Sequence, residues 1–133
     1  MTRWTRESAV SILEVVTGCG ILIFWLLFFT VGLVPEGAPA CYLAFEHSFP
    51  LPDTVLALGL IAAGYLLTRA EPLGRSLSFT CAGALIFLGL LDFSFSLLNG
   101  LLSGAPLNAL TDTAINIWLV FSGTTIFMAL RQR

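Results

Sequence analysis

Lysine is absent from this chain, histidine occurs once, and only 11% of its 133 residues are charged. Soluble domains carry roughly 25%. The six basic residues are all arginine and are outnumbered by eight acidic ones, giving a formal net charge of -2. A nucleic-acid surface needs a basic patch or stripe, so nucleic acid is excluded as a partner. The lone histidine, His47, cannot furnish a zinc site by itself. Cys19, Cys41 and Cys81 include no Cys-x-x-Cys pair, which argues against a dithiol redox centre. Cys19 and Cys81 fall in apolar runs and read as small buried hydrophobes. Cys41 falls in a loop.

What is abundant is apolar surface: 57% of residues are hydrophobic and the mean hydropathy is +0.94. Disorder has the opposite signature. Apolar stretches recur at about 9–34, 51–68, 76–99 and 112–130. A hydrocarbon core of about 30 Å needs roughly 20 helical residues, with 17 to 25 tolerated. A helix also satisfies its own backbone in lipid. The strands of a membrane barrel would alternate over about ten residues, and these stretches do not. The first run is longer than the roughly 7 to 15 residues of a signal-peptide core and carries Glu14 inside it, so it reads as a span. The expectation is an all-α, polytopic membrane protein: one domain, 1–133, with four transmembrane helices in an up-down bundle.

Arginine gives the orientation. Arg3 and Arg6 precede the first span, Arg69 and Arg75 flank the link between the second and third, and Arg131 and Arg133 follow the fourth. Residues 35–50 and 101–111 contain no basic residue. The positive-inside rule therefore predicts cytoplasmic termini and a cytoplasmic link between the second and third spans; the compactness of the chain points to a multi-pass protein of a cell inner membrane. So one-sided a charge distribution argues against dual topology.

Short connections join the spans. "CYLAFEH" predicts a partial helical turn at the membrane interface, where aromatic residues are favoured. Pro72 and Gly74 predict a tight turn, with Gly74 tolerating positive φ. Residues 101–111 read as an apolar loop along the membrane, with Thr111 or Asp112 capping the fourth helix. Asp53 falls in the first turn of the second helix, where a carboxylate faces the positive helix end.

Small and polar residues recur at helical spacing. Ser78, Ala82, Leu85, Gly89, Asp92, Ser96 and Asn99 form one face of the third span. Asp53, Ala57, Leu60, Gly64 and Thr68 do so in the second. The first offers Ser11, Glu14, Gly18, Ile21 and Trp25, and the fourth Asp112, Asn116, Val120, Gly123 and Phe127. Packing between membrane helices comes from small side chains and a few polar contacts, so these faces are expected to meet. Gly64, Gly83, Gly89 and Gly123 are expected to allow close approach. Phe24, Phe28 and Phe29 are expected to face lipid or a neighbouring subunit.

Two ionisable residues fall inside spans. A central Asp costs roughly 2.5 to 3.5 kcal/mol, so Asp92 needs an interior position and a partner, with Asn116 at a comparable depth. It serves as a hydrogen-bonded clasp, or it holds something positive: a proton, a metal ion or an organic cation. Asn99 and Asp112 lie on the same side. The rim carboxylates Glu36, Glu46, Asp53 and Asp112 would suit calcium, magnesium or manganese more than zinc. Glu14 lies in the arginine-rich half, where Arg3, Arg6, Arg69 or Arg75 is expected to reach it. Alternatively it forms the inner end of a polar route whose outer end is Asp92.

Three functions follow as expectations. One is binding or transport of a cation or cationic amphiphile, with Asp92, Asn116, Glu14, Asp112 and Asn99 as ligand-binding candidates. Another is a structural or assembly subunit of a larger membrane complex. The third is an enzyme acting on a lipid or quinone at the outer leaflet, with Glu46, His47 and Asp53 as acid-base candidates. The bilayer, and a homo-oligomer or larger membrane complex, are the expected partners. No cofactor is indicated.

Overall fold

A computed structural model describes residues 3–132, with no account of the side chains of residues 3–5. The limits of the 1–133 domain, Arg133 and the Arg3 side chain lie outside the described residues. Five α-helices follow in order: α1 (Arg3–Val31), α2 (Tyr42–Glu46), α3 (Pro50–Thr68), α4 (Pro72–Leu98) and α5 (Pro106–Arg131). A single 3-10 turn (Leu101–Ser103) precedes α5. There is no strand among the described residues. Four stretches are long and apolar enough to cross a membrane: Arg6–Val31, Tyr42–Thr68, Pro72–Leu98 and Pro106–Arg131.

The long helices pack in a ring, α1 to α3 to α4 to α5, and α5 returns to α1. Neighbours run antiparallel. Ser11 Oγ donates to the Gly64 carbonyl at 2.7 Å near one end of the α1–α3 pair, and Trp25 reaches Asp53 near the other. Thr17 and Arg6 of α1 likewise meet Trp118 and Gln132 of α5. The α1–α5 seam is the loosest of the four.

Close approach comes from missing side chains. A Cβ on Gly18 would stand 2.8 Å from the Ala57 carbonyl oxygen, and one on Gly123 would stand 2.6 Å from that of Ala82. Gly64 and Gly89 serve the same purpose against Ser11 and Val120. Gly83 does not: it is exposed, with nothing within 4 Å of a Cβ built on it.

Helix starts follow proline. Pro50, Pro72 and Pro106 each open a helix, where φ is preset and the absent N–H is not missed. Pro106 starts α5 six residues before the expected cap, so Thr111 and Asp112 lie within the helix. The positive φ of the α3–α4 turn falls on Ala70, at 55°, rather than on Gly74. Glu71 and Ala70 N–H groups bond back to the Leu66 and Leu67 carbonyls, both at 3.0 Å, a Schellman-type stop. Gly74 sits in the first turn of α4, against the backbone of Leu66 and Leu67.

Among the described arginines, Arg6, Arg69, Arg75 and Arg131 gather at the end of the bundle where α1 starts and α5 stops. Arg6 Nη1 donates to Gln132 at 2.9 Å, and Arg75 faces Glu7 at 3.9 Å. This will be called the arginine end. The opposite, loop end carries α2 and the 3-10 turn.

Candidate functional site

At the loop end the α1–α5 seam opens into a cavity of about 1050 Å³, walled by α1, α5 and the chain between α1 and α2, with α2, α3 and α4 behind. Its geometry starts with α2. Phe45 stacks flat on Phe95 of α4, with centroids 3.8 Å apart and planes within 4°, which pins the short helix across the end of the bundle. Tyr42 and Glu46, four residues apart on that helix, then turn inward and are buried. Leu43, Ala44 and His47 are left outside.

Four carboxyl groups meet the cavity from separate elements: Glu46, Asp53, Asp92 and Asp112. They lie within electrostatic reach of one another. Two have a neutral donor. Trp25 Nε1 donates to Asp53 Oδ2 at 2.9 Å, and Ser96 Oγ donates to Asp112 Oδ2 at 2.6 Å. Among the described residues, no arginine, lysine or histidine lines the cavity. Its remaining wall is apolar and aromatic, with Phe24, Trp25, Tyr42, Phe49 and Trp118. Between α1 and α5, Trp118 Nε1 donates to Thr17 Oγ1 at 3.2 Å and closes the floor. Carboxylates with spare acceptor capacity, set among ring faces, attract a cation.

Asn116 reaches toward Asp92, as expected of the clasp, but outside strict hydrogen-bond geometry. Asn116 is 3% exposed and lies beside Asp92, but neither amide atom has a hydrogen-bond partner among the described residues. Asn99 caps the end of α4, exposed, donating from Nδ2 to the Phe95 carbonyl and accepting from Cys41 Sγ at 3.8 Å. It does not line the cavity. Glu36 is exposed on the loop. Among the described residues, no three His, Cys, Asp or Glu side chains converge closely enough to hold a metal ion.

The acid-base trio is split. Glu46 and Asp53 line the cavity, whereas His47 is exposed and stacks on Phe29 at 5.9 Å. Adjacent residues on a helix point about 100° apart, which sends Glu46 in and His47 out. Ser48 is also exposed and donates to the Ala44 carbonyl.

Among the described side chains, Glu14 meets none of Arg6, Arg69 and Arg75, and the Arg3 side chain lies outside the described residues. Glu14 is fully buried, and both carboxyl oxygens lack a hydrogen-bond partner among the described residues. Arg6 and Arg75 turn to Gln132 and Glu7, and Arg69 lies over Tyr65 at 5.1 Å. Phe28 is buried at 4% exposure instead of facing outward, Phe24 is half-buried, and Phe29 is exposed as expected. Cys19 is exposed, whereas Cys81 is buried. Sequence reasoning missed Trp25 and Ser96 as partners of carboxylates, although both stood on the inward stripes.

No known protein family, no curated protein and no solved structure matches the chain.

Proposed function

We propose that this chain is a multi-pass protein of a cell inner membrane, with cytoplasmic termini, that binds a cationic amphiphile at the outer half of the bundle. In an oligomer or larger complex it passes that cation across the bilayer. The observation carrying this reading is the convergence of Glu46, Asp53, Asp92 and Asp112 on an apolar, aromatic-walled cavity whose lining, among the described residues, holds no basic side chain. The arginine end supports the orientation, since basic residues favour the cytoplasmic face. The loop-end cavity then opens from the outer leaflet.

The dispersal of the carboxylates over four elements favours a bulky organic cation over a compact metal ion. A quaternary ammonium head cannot accept directional ligands. It needs diffuse negative charge and ring faces, and its alkyl chain needs an apolar wall. Ile23, Leu27, Leu107 and Ile115 on the two sides of the α1–α5 seam supply one.

The test is calorimetric binding to the full chain in lipid nanodiscs, using dodecyltrimethylammonium, dodecyl sulfate and dodecyl maltoside. Saturable binding of the ammonium alone, weakened about tenfold or more by Asp92→Asn, is expected from loss of one charge-assisted contact. Equal binding of all three would sink the cation reading. Failure to bind any, with recovery of a stoichiometric membrane partner, would favour the assembly subunit instead.

A further inference from the structure

Glu14 lies on the bundle axis, 0% exposed, with both carboxyl oxygens unpartnered among the described residues. Ser122 of α5 is equally buried, and its hydroxyl is equally unpartnered. The Thr17–Trp118 and Arg6–Gln132 contacts set the register of α1 against α5 and put these two residues within one helical turn of the same level. Ser78 of α4 lies beside Glu14, its hydroxyl donating to the Gly74 carbonyl at 2.9 Å. Farther along α5, Asn116 supplies the remaining unpartnered buried atoms, next to Asp92 of the cavity. Glu14, Ser122, Asn116 and Asp92 therefore form a broken polar column from the middle of the bundle to the cavity, through a core otherwise made of Leu60, Leu85, Leu119 and Ile126.

Such a column is expensive unless something completes it. An ionised carboxylate in an apolar core with no counter-charge costs several kcal/mol even after relaxation, and an unpaired amide or hydroxyl adds to that. Among the described residues, no counter-charge faces Glu14. From α4 the ionisable neighbour is Cys81. From α1 itself the nearest are Glu7, which faces Arg75, and Cys19, which is exposed. At that level α3 presents only the exposed Tyr65, and α5 no ionisable side chain, among the described residues. The species that relieves a lone carboxylate in so small a space is a proton, and water satisfies the polar atoms around it.

We propose that Glu14 is an exchangeable proton site, connected to Asp92 by waters that Ser122 and Asn116 hold. Ser122 and Asn116 are six residues apart on α5, about 9 Å at 1.5 Å per residue, a distance that two waters bridge. Loading the site breaks an O–H bond of a hydronium ion at the cavity end and forms one at a Glu14 carboxyl oxygen. Intervening waters each pass on one proton, and a neutral water remains where the hydronium stood. The site is read with no ligand added, so its test is independent of the cation-binding reading.

The test is infrared spectroscopy of the full chain in nanodiscs, in H2O and D2O, between about pH 4 and 9. The expected result is a protonated-carboxyl C=O band that shifts in D2O, loses amplitude at high pH, disappears in Glu14→Gln and persists in Asp92→Asn. A Glu14→Gln protein with wild-type helicity and an unchanged band would overturn the site, as would a band that ignores D2O or one that sodium alone removes. If Glu14→Gln fails to fold, Ser122→Ala decides. Removing that hydroxyl should move the band and slow its deuterium shift at least several-fold, and an unmoved band with unchanged exchange overturns the water link.

Discussion

Trp25 donates its indole N–H to Asp53 at 2.9 Å, joining α1 to α3 in the wall of the cavity. Both residues are buried, so the bond is shielded from water. Trp25→Phe keeps most of the apolar volume but leaves the carboxylate short of its donor. The expected loss is about 1 to 3 kcal/mol of stability, read from denaturant or thermal unfolding in detergent. An unchanged midpoint would show that Asp53 draws nothing from the indole.

Glycine substitutions should sort by what a Cβ would meet. Gly18→Ala places a methyl 2.8 Å from the Ala57 carbonyl oxygen, which α1 and α3 can relieve only by separating. A cost of about 1 to 3 kcal/mol is expected, as for overpacking elsewhere. Gly83→Ala enters open space on an exposed helix face and should be neutral or stabilising by up to about 1 kcal/mol. Melting curves of the two variants side by side check both signs, and equal effects would contradict the packing account.

Cys41 offers a native probe for orientation, because it is exposed at the loop end. With Cys19 and Cys81 replaced by serine, a membrane-impermeant maleimide added to intact cells should label Cys41. A cysteine introduced in residues 69–75 should react only after the membrane is opened. The reverse pattern would invert the proposed topology.

His47 and Glu46 should behave differently although they are neighbours. Glu46 lines the cavity while His47 stacks on Phe29 outside it. Glu46→Gln should weaken dodecyltrimethylammonium binding several-fold, as expected for one charge among four. His47→Ala should leave binding within about twofold, a few tenths of a kcal/mol. Loss of binding with His47→Ala would bring the acid-base trio back into consideration.

Helical periodicity made much of this architecture readable in advance. Of the inward stripe on α4, Ser78, Ala82, Leu85, Gly89 and Ser96 are buried, Asp92 is half-buried and Asn99 exposed; opposite it Asp53, Ala57, Leu60 and Gly64 are buried and Thr68 exposed. Ser11, Glu14, Gly18, Ile21 and Trp25 of α1 are buried. The stripe on α5 was drawn too far to one side: Leu119, Ser122 and Ile126 are buried, while Phe127 stays exposed and packs edge-on to Phe79. Composition separates charged from apolar positions well but does not rank Phe127 against Ile126, because both are apolar and only the facing helix decides between them.

The site was less readable, for a geometric reason. Asp92 stood out as a charge in apolar surroundings and Asp112 as a rim carboxylate on the same side, and the structure brings both to one cavity. Glu46, His47 and Asp53 looked like a cluster because they are close in sequence. Sequence proximity carries no direction, and a single turn of α2 with Phe45 fixed on Phe95 separates Glu46 from His47. Arg6, Arg75 and Arg69 misled in the same way, since they lie at the right end of the bundle but find Gln132, Glu7 and Tyr65 within easier reach than Glu14.

The seam between α1 and α5 has a bearing on how the protein is made. Its two walls come from α1 and α5, the first and last helices among the described residues, so the cavity cannot exist until α5 has been made. Until α5 emerges, α1, α3 and α4 present Glu46, Asp53 and Asp92 along an unfinished edge. The Trp118–Thr17 hydrogen bond can form only once the last helix has been placed beside the first. Completion of the cavity thus follows the order of synthesis, and binding of the proposed cation would report that α5 has docked beside α1.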